Sequence, residues 1–119
     1  MRNKITEKLL ELEPNVYYGI IPDNALKNTD DWNYFVFGQE KISKGGTSLT
    51  DLQGYWYVTI IREDFIPDDL VLDVIGKVTE IAGLRLADGD HEYDYIQKGG
   101  TNIIVEVLQL RFTKMKKRC

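Results

Sequence analysis

Tyr55–Ala82 reads YWYVTIIREDFIPDDLVLDVIGKVTEIA, and within it the spacing of apolar residues changes from one period to another. Over Tyr55–Glu63 the β-branched and aromatic residues are dense, which predicts a strand. After Pro67 the pattern changes: Leu70, Val71, Val74, Ile75, Val78, Ile81 and Ala82 recur at three and four residues, which predicts a helix over Asp68–Ala82 with a wide apolar face. Asp68 and Asp69 stand at its start, where carboxylates cap free N–H groups and oppose the dipole, and Gly83 is the expected C′ residue. A strand running straight into an amphipathic helix needs a sheet for that helix to cover.

The flanking sequence supplies one. Asn3–Glu13 places Ile5, Leu9 and Leu12 on one stripe of a short helix ended by Pro14. Val16–Ile21 reads as a short strand, closed by a turn at Pro22, Asp23 and Asn24, and Ala25–Asp31 as irregular. Trp32–Ile42 is the next strand, with large apolar side chains of both parities, as in a strand buried on both faces or covered by a partner. Ser43–Gln53, with Gly45 and Gly46, reads as a loop longer than the roughly two to five residues of most hairpins. At the other end Glu92–Gln97 and Asn102–Thr113 form a hairpin turned at Gly99 and Gly100. Its return arm has a conflict: Ile103, Val105 and Val107 occupy one parity, and Leu108, Leu110 and Phe112 the other. A strand with one buried face does not switch parity, so either a bulge or burial on both faces is required.

The expected fold is α+β: a mainly antiparallel sheet with two helices on one face, in the order α-β-β-β-α-β-β. The 119 residues are read as a single domain, with 113–119 a flexible basic tail. Composition at 43% hydrophobic and 29% charged is globular rather than disordered. The one cysteine, Cys119, leaves no intrachain disulfide, and Met1–Glu13 does not read as a signal peptide. No stretch approaches the ~18 apolar residues of a membrane span, so the chain is expected to be soluble and to stay in the cytoplasm.

Charge is unevenly placed. Glu63–Asp94 holds ten acids against two bases, whereas the last nine residues hold five bases and no acidic side chain. Such polarity favours head-to-tail contact between copies; the plainer reading is a solvated acidic face and a frayed basic end.

The search for chemistry is brief. Asp88, Asp90, Glu92 and Asp94 alternate along the chain and offer oxygen ligands to a divalent cation, but without the glycine and closing glutamate positions of an EF-hand loop. On an extended arm they simply share one wet face, and this is the preferred reading. His91, the single histidine, lacks a nucleophile or orienting group in any motif and reads as inert surface. Neither glycine pair has P-loop spacing, and a pI near 5.0 argues against nucleic acid as the main partner. No catalytic, cofactor-binding or metal-binding residue is assigned, and no enzyme is expected.

The aromatic segment Trp32–Phe37, the strand Gly54–Glu63, the amphipathic stretch Pro67–Ala82 and the closing hairpin Tyr93–Phe112 together resemble, in order and texture, the small tail-terminator or tail-completion (head–tail joining) proteins of long-tailed bacteriophages and prophages. That resemblance implies a structural protein without catalysis: a homo-oligomer, usually a hexameric ring, placed between the tail tube protein and the head connector protein. It implies assembly in the host bacterial cytoplasm and residence in the virion tail. Candidate subunit contacts, chosen by exposure and composition, are Lys44, Gly45, Gly46 and Thr47 in the loop, Lys98, Gly99 and Gly100 at the hairpin tip, and Lys114, Lys116 and Lys117 in the basic end. A head-completion or minor capsid protein, and a small cation-linked binding module, remain as alternative readings.

Overall fold

The computed structural model describes residues 2–20, 32–44, 51–98 and 102–117, with side chains at 43, 44, 51–53 and 115–117 outside that description. The elements are α1 (Arg2–Leu10), β1 (Val16–Tyr18), β2 (Asn33–Lys44), β3 (Asp51–Glu63), α2 (Asp68–Thr79), β4 (Arg85–Leu86), β5 (Tyr93–Gln97) and β6 (Ile104–Lys117). The expected α+β class and element order are found, with β4 added. The strands lie in the order β1-β2-β3-β6-β4, and β5 also pairs with β6. Only β1 with β2 is parallel among these pairs.

Three long strands make the frame. The pairing of β3 with β6 is continuous from Glu63↔Val105 to Asp51↔Lys117, which answers the parity conflict: β6 carries no bulge against β3. Leu108, Leu110 and Phe112 face the helices, while Val105 is fully buried on the opposite face. Burial on both faces is the solution. The sheet's irregularity sits instead in β2, between Gln39 and Lys41, and leaves Glu40 as the extra residue, as a bulge does. β2 shows the same two-sided burial, with Phe35 and Phe37 toward the helices and Tyr34 and Val36 buried on the other face.

The core lies between sheet and helices. Phe35, Phe37, Trp56, Val58, Ile60, Leu108, Leu110 and Phe112 meet Ile5 and Leu9 of α1 and Leu70, Val74 and Val78 of α2 in one cluster. The register pairs Phe35↔Ile60, Phe37↔Val58, Val58↔Leu110 and Trp56↔Phe112 put these strand residues on one face. Gly38 stands opposite Tyr57 on the other face, and a Cβ there would come within 2.9 Å of the Tyr57 hydroxyl. Glycine therefore lets the Tyr57 ring lie close over the backbone.

Helix ends differ from expectation. The N-cap of α2 is Pro67, which has no side-chain acceptor; Asp68 and Asp69 follow, exposed, in the first turn, and so act on the dipole. The helix stops at Thr79 with Glu80 as C-cap, earlier than Ala82. Gly83 is left-handed (φ 84°) in the turn beyond, beneath the alkyl chain of Lys114, rather than being the C′ residue. β1 ends at Tyr18, and α1 at Leu10 with the N–H groups of Leu12 and Glu13 both donating to Leu9 O. The expected loop over Ser43–Gln53 is shortened, because pairing continues to Lys44↔Leu52. β6 runs through Lys117, so 113–117 of the expected basic tail hold strand positions. The expected turns at Pro22–Asn24 and Gly99–Gly100, and Ala25–Asp31, lie outside the described residues. No helix among the described residues is long and apolar enough to cross a membrane.

Two outcomes are expected. Phe112→Ala removes a fully buried ring from the centre of the core and should cost about 3–5 kcal/mol, read as a lower urea midpoint. Lys8 Nζ lies 2.9 Å from Glu80 Oε2, across the two helices. This hydrogen bond and charge hold the Glu80 carboxyl below, and the Lys8 amine above, their ordinary values. The pair therefore supports the fold above the ordinary carboxylate range and ceases to as pH falls through the lowered Glu80 value. Carbon-detected NMR titration should show Glu80 shifting back upward in Lys8→Met.

Candidate interaction surfaces

The helices cover only part of the sheet. β6 has 14 residues, about 45 Å at ~3.3 Å per residue, and the long axis of the molecule is 52 Å. Two ends of different character result.

At one end β2, β3 and β6 continue together past the last core pair, Trp56↔Phe112. By sequence position this projecting end holds Lys41, Lys44, Lys114, Lys116 and Lys117, with Glu40 and Asp51 as its acids. Ile42 is 56% exposed there, in register with Gly54 and so on the helix-side face. Lys41 Nζ sits 4.9 Å from the centre of the Tyr55 ring, on the opposite face. Of the expected contact residues, Lys44, Lys116 and Lys117 hold strand positions at this end, and Lys114 lies over Gly83. Gly45, Gly46 and Thr47 lie outside the described residues, as do Gly99 and Gly100.

Lys98 is placed differently from the rest. Its Nζ lies 2.6 Å from Glu63 Oε1 and 5.5 Å from the centre of the Trp32 ring, and its side chain is only 12% exposed. Glu63 Oε1 also accepts the Trp32 backbone N–H at 2.9 Å. Lys98 thus fastens the start of β2 to the end of β5.

The other end is acidic and apolar. Asp64, Asp68, Asp69 and Glu106 lie at this end, and the bases Arg62 and Lys98 are paired with Glu13 and Glu63. All five residues of β5 are exposed. Phe65 (63%), Tyr95 (59%) and Ile104 (47%) bring large apolar groups to the surface; Asp64 N–H donates to Ile104 O at 3.0 Å, which joins the Phe65 turn to β6. Glu106 organises this corner. Its carboxylate accepts the Ile66 N–H at 2.8 Å and the Tyr95 hydroxyl, which raises the Tyr95 pKa above its ordinary value.

Between the ends, on the face away from the helices, is a cleft of about 660 Å³ lined by Gln39, Glu40, Tyr57, Asp90, Glu92, Gln109 and Arg111. A second, of about 510 Å³, shares Glu92 and Gln109 and adds Thr59, Tyr93, Asp94 and Val107. Asp90, Glu92 and Asp94 thus fall on one wet face, while Asp88 lies in the preceding turn; among the described residues no three metal-ligating side chains converge. Glu40, displaced by the bulge, receives Arg111 in a two-point pair. Its hydrogen bonds and charge raise the Arg111 pKa further.

His91 is not inert surface. It is half-buried, its Nδ1 accepts the Arg111 backbone N–H at 3.2 Å, and its Nε2 lies 3.3 Å from Ala87 O. These two partners require the tautomer protonated on Nε2. His91 thereby clamps the 87–92 loop to β6. The signal was not in the local sequence, because one partner is a backbone amide 20 residues away.

No family model matches the chain, and no curated protein matches it.

His91→Ala removes both bonds and leaves the Arg111 amide without its acceptor, at a cost of about 1–2 kcal/mol. The amide of Arg111 should then exchange with solvent faster than in the parent protein, measured residue by residue.

Proposed function

We propose that this chain is a structural subunit of a long-tailed bacteriophage or prophage, a tail-terminator or tail-completion protein that assembles as a ring at the head–tail junction. The observation that carries the reading is the two-ended surface: an apolar corner with acids beside it at one end of the long strands and a lysine-rich end with exposed Ile42 at the other. Opposite charges at opposite ends suit repeated association of one chain, because each copy offers what the next requires. The α+β element order, on which the resemblance was drawn, supports it further.

Light scattering of the purified chain over a wide concentration range, alone and with tail tubes of the phage concerned, tests the proposal. Closed rings of one size, about six copies in a cyclic arrangement, are expected in solution or on tube ends in negative-stain images. A chain that stays monomeric alone and leaves the tubes bare would contradict it.

A further inference from the structure

We propose that the free edge of β5 receives an extended segment of another protein as a further strand, one whose lysines or arginines alternate to meet Glu92 and Asp94. This contact is independent of the ring proposed above.

The backbone is the first argument. Among the described residues β5 pairs with β6 alone, and beyond its end Lys98 N–H donates to Ile103 O at 2.9 Å. The register Gln97↔Ile104, Ile96↔Val105, Tyr95↔Glu106 continues from that bonded pair. Bonded and non-bonded pairs alternate along an antiparallel ladder. Ile96 and Asp94 therefore bond to β6, while the N–H and C=O groups of Tyr95 and Tyr93 point outward. The Asp94 carboxylate agrees with that direction, since its Oδ1 accepts the Tyr95 N–H at 2.8 Å. Outward donors and acceptors make an edge a template for another strand, and a charge held against it restricts which strand joins.

The side chains say which. Tyr93, Tyr95 and Ile96 are 46%, 59% and 44% exposed, apolar surface along the edge for an added strand to cover. Asp94, in register with Val107, lies on the face away from the helices, where it and Glu92 line the smaller cleft. Among the described residues neither carboxylate has a cationic partner. They stand two positions apart, the side-chain period of a strand. A segment with bases at every second residue sets one beside each acid, and a base beside Asp94 compensates that carboxylate for leaving the Tyr95 N–H. The β5 edge of a second copy is a poor occupant, because pairing two such edges brings the carboxylates of both together.

The experiment is an NMR titration of the full chain with a blocked synthetic peptide that alternates lysine with valine. Shifts centred on the Tyr93 and Tyr95 amides, with protection of both from solvent exchange, are expected, and affinity should fall as salt is raised. Glutamate in place of lysine should abolish binding. So should methyl groups on the peptide's backbone nitrogens, which remove its donors and keep its charge. In Asp94→Ala, a change at an exposed position, the preference for lysine over threonine at those peptide positions should fall about threefold. Binding that survives backbone methylation, or shifts confined to Gln39, Tyr57 and Gln109, would reduce the contact to charge in the larger cleft and overturn strand addition. Failure of the alternating peptide to bind would overturn it as well. Protection of Tyr93 and Tyr95 that rises with the chain's own concentration, without peptide, would make a second copy the occupant and overturn the assignment to another protein.

Discussion

The hydrogen-bonded ladder of β3 is the constraint on which the other parts depend. β3 pairs with β2 along one edge and with β6 along the other, over nearly its full length. Its helix-side residues Trp56, Val58 and Ile60 are at most 3% exposed and form the floor on which both helices pack. A shift of one residue would exchange that apolar set for Tyr55, Tyr57, Thr59 and Ile61, so the core fixes the register. The register in turn carries both ends: Glu63 at the acidic corner and Asp51 at the lysine-rich end terminate the same strand.

The parts of this arrangement legible in the sequence were those with a strong local period. Leu70, Val74 and Val78 announced α2, and Ile5 with Leu9 announced α1. The opposed parities of Val105 and Leu108 announced that β6 was unusual, although not which remedy applied, because two-sided burial depends on neighbours distant in sequence. Composition understates the strands where it turns polar. Lys44, Asp51, Gln53 and Lys116 are poor strand residues by propensity, yet ladder pairing with β3 or its neighbours carries them into the sheet. β4, at two residues, had no period to read.

The site-level readings divide along the same line. Charge asymmetry is additive along the chain, so the acidic and basic ends were visible in composition. Single side chains were not. Lys98 looked like an exposed hairpin base until the fold brought Glu63 and Trp32 beneath it. His91 looked inert because its partners, Ala87 O and the Arg111 amide, are backbone groups without a sequence signature. Glu40 and Arg111 lie 71 positions apart and meet because β2 bulges and β6 passes close by.

A surface that recruits the next copy efficiently has to exist before that copy arrives, since ordering a segment on contact subtracts from affinity. Continuous pairing of β3 with β6 from Asp51↔Lys117 inward makes the lysine-rich end an extension of the core sheet. Native-state hydrogen exchange on the dilute, monomeric chain examines this most directly. The ladder amides of Asp51–Tyr55 should be protected together with those of Val58 and Ile60, all opening in the same cooperative event. Exchange of Asp51–Tyr55 at unfolded-chain rates, beside a protected Val58 and Ile60, would contradict a preformed end and the repeated association proposed from it.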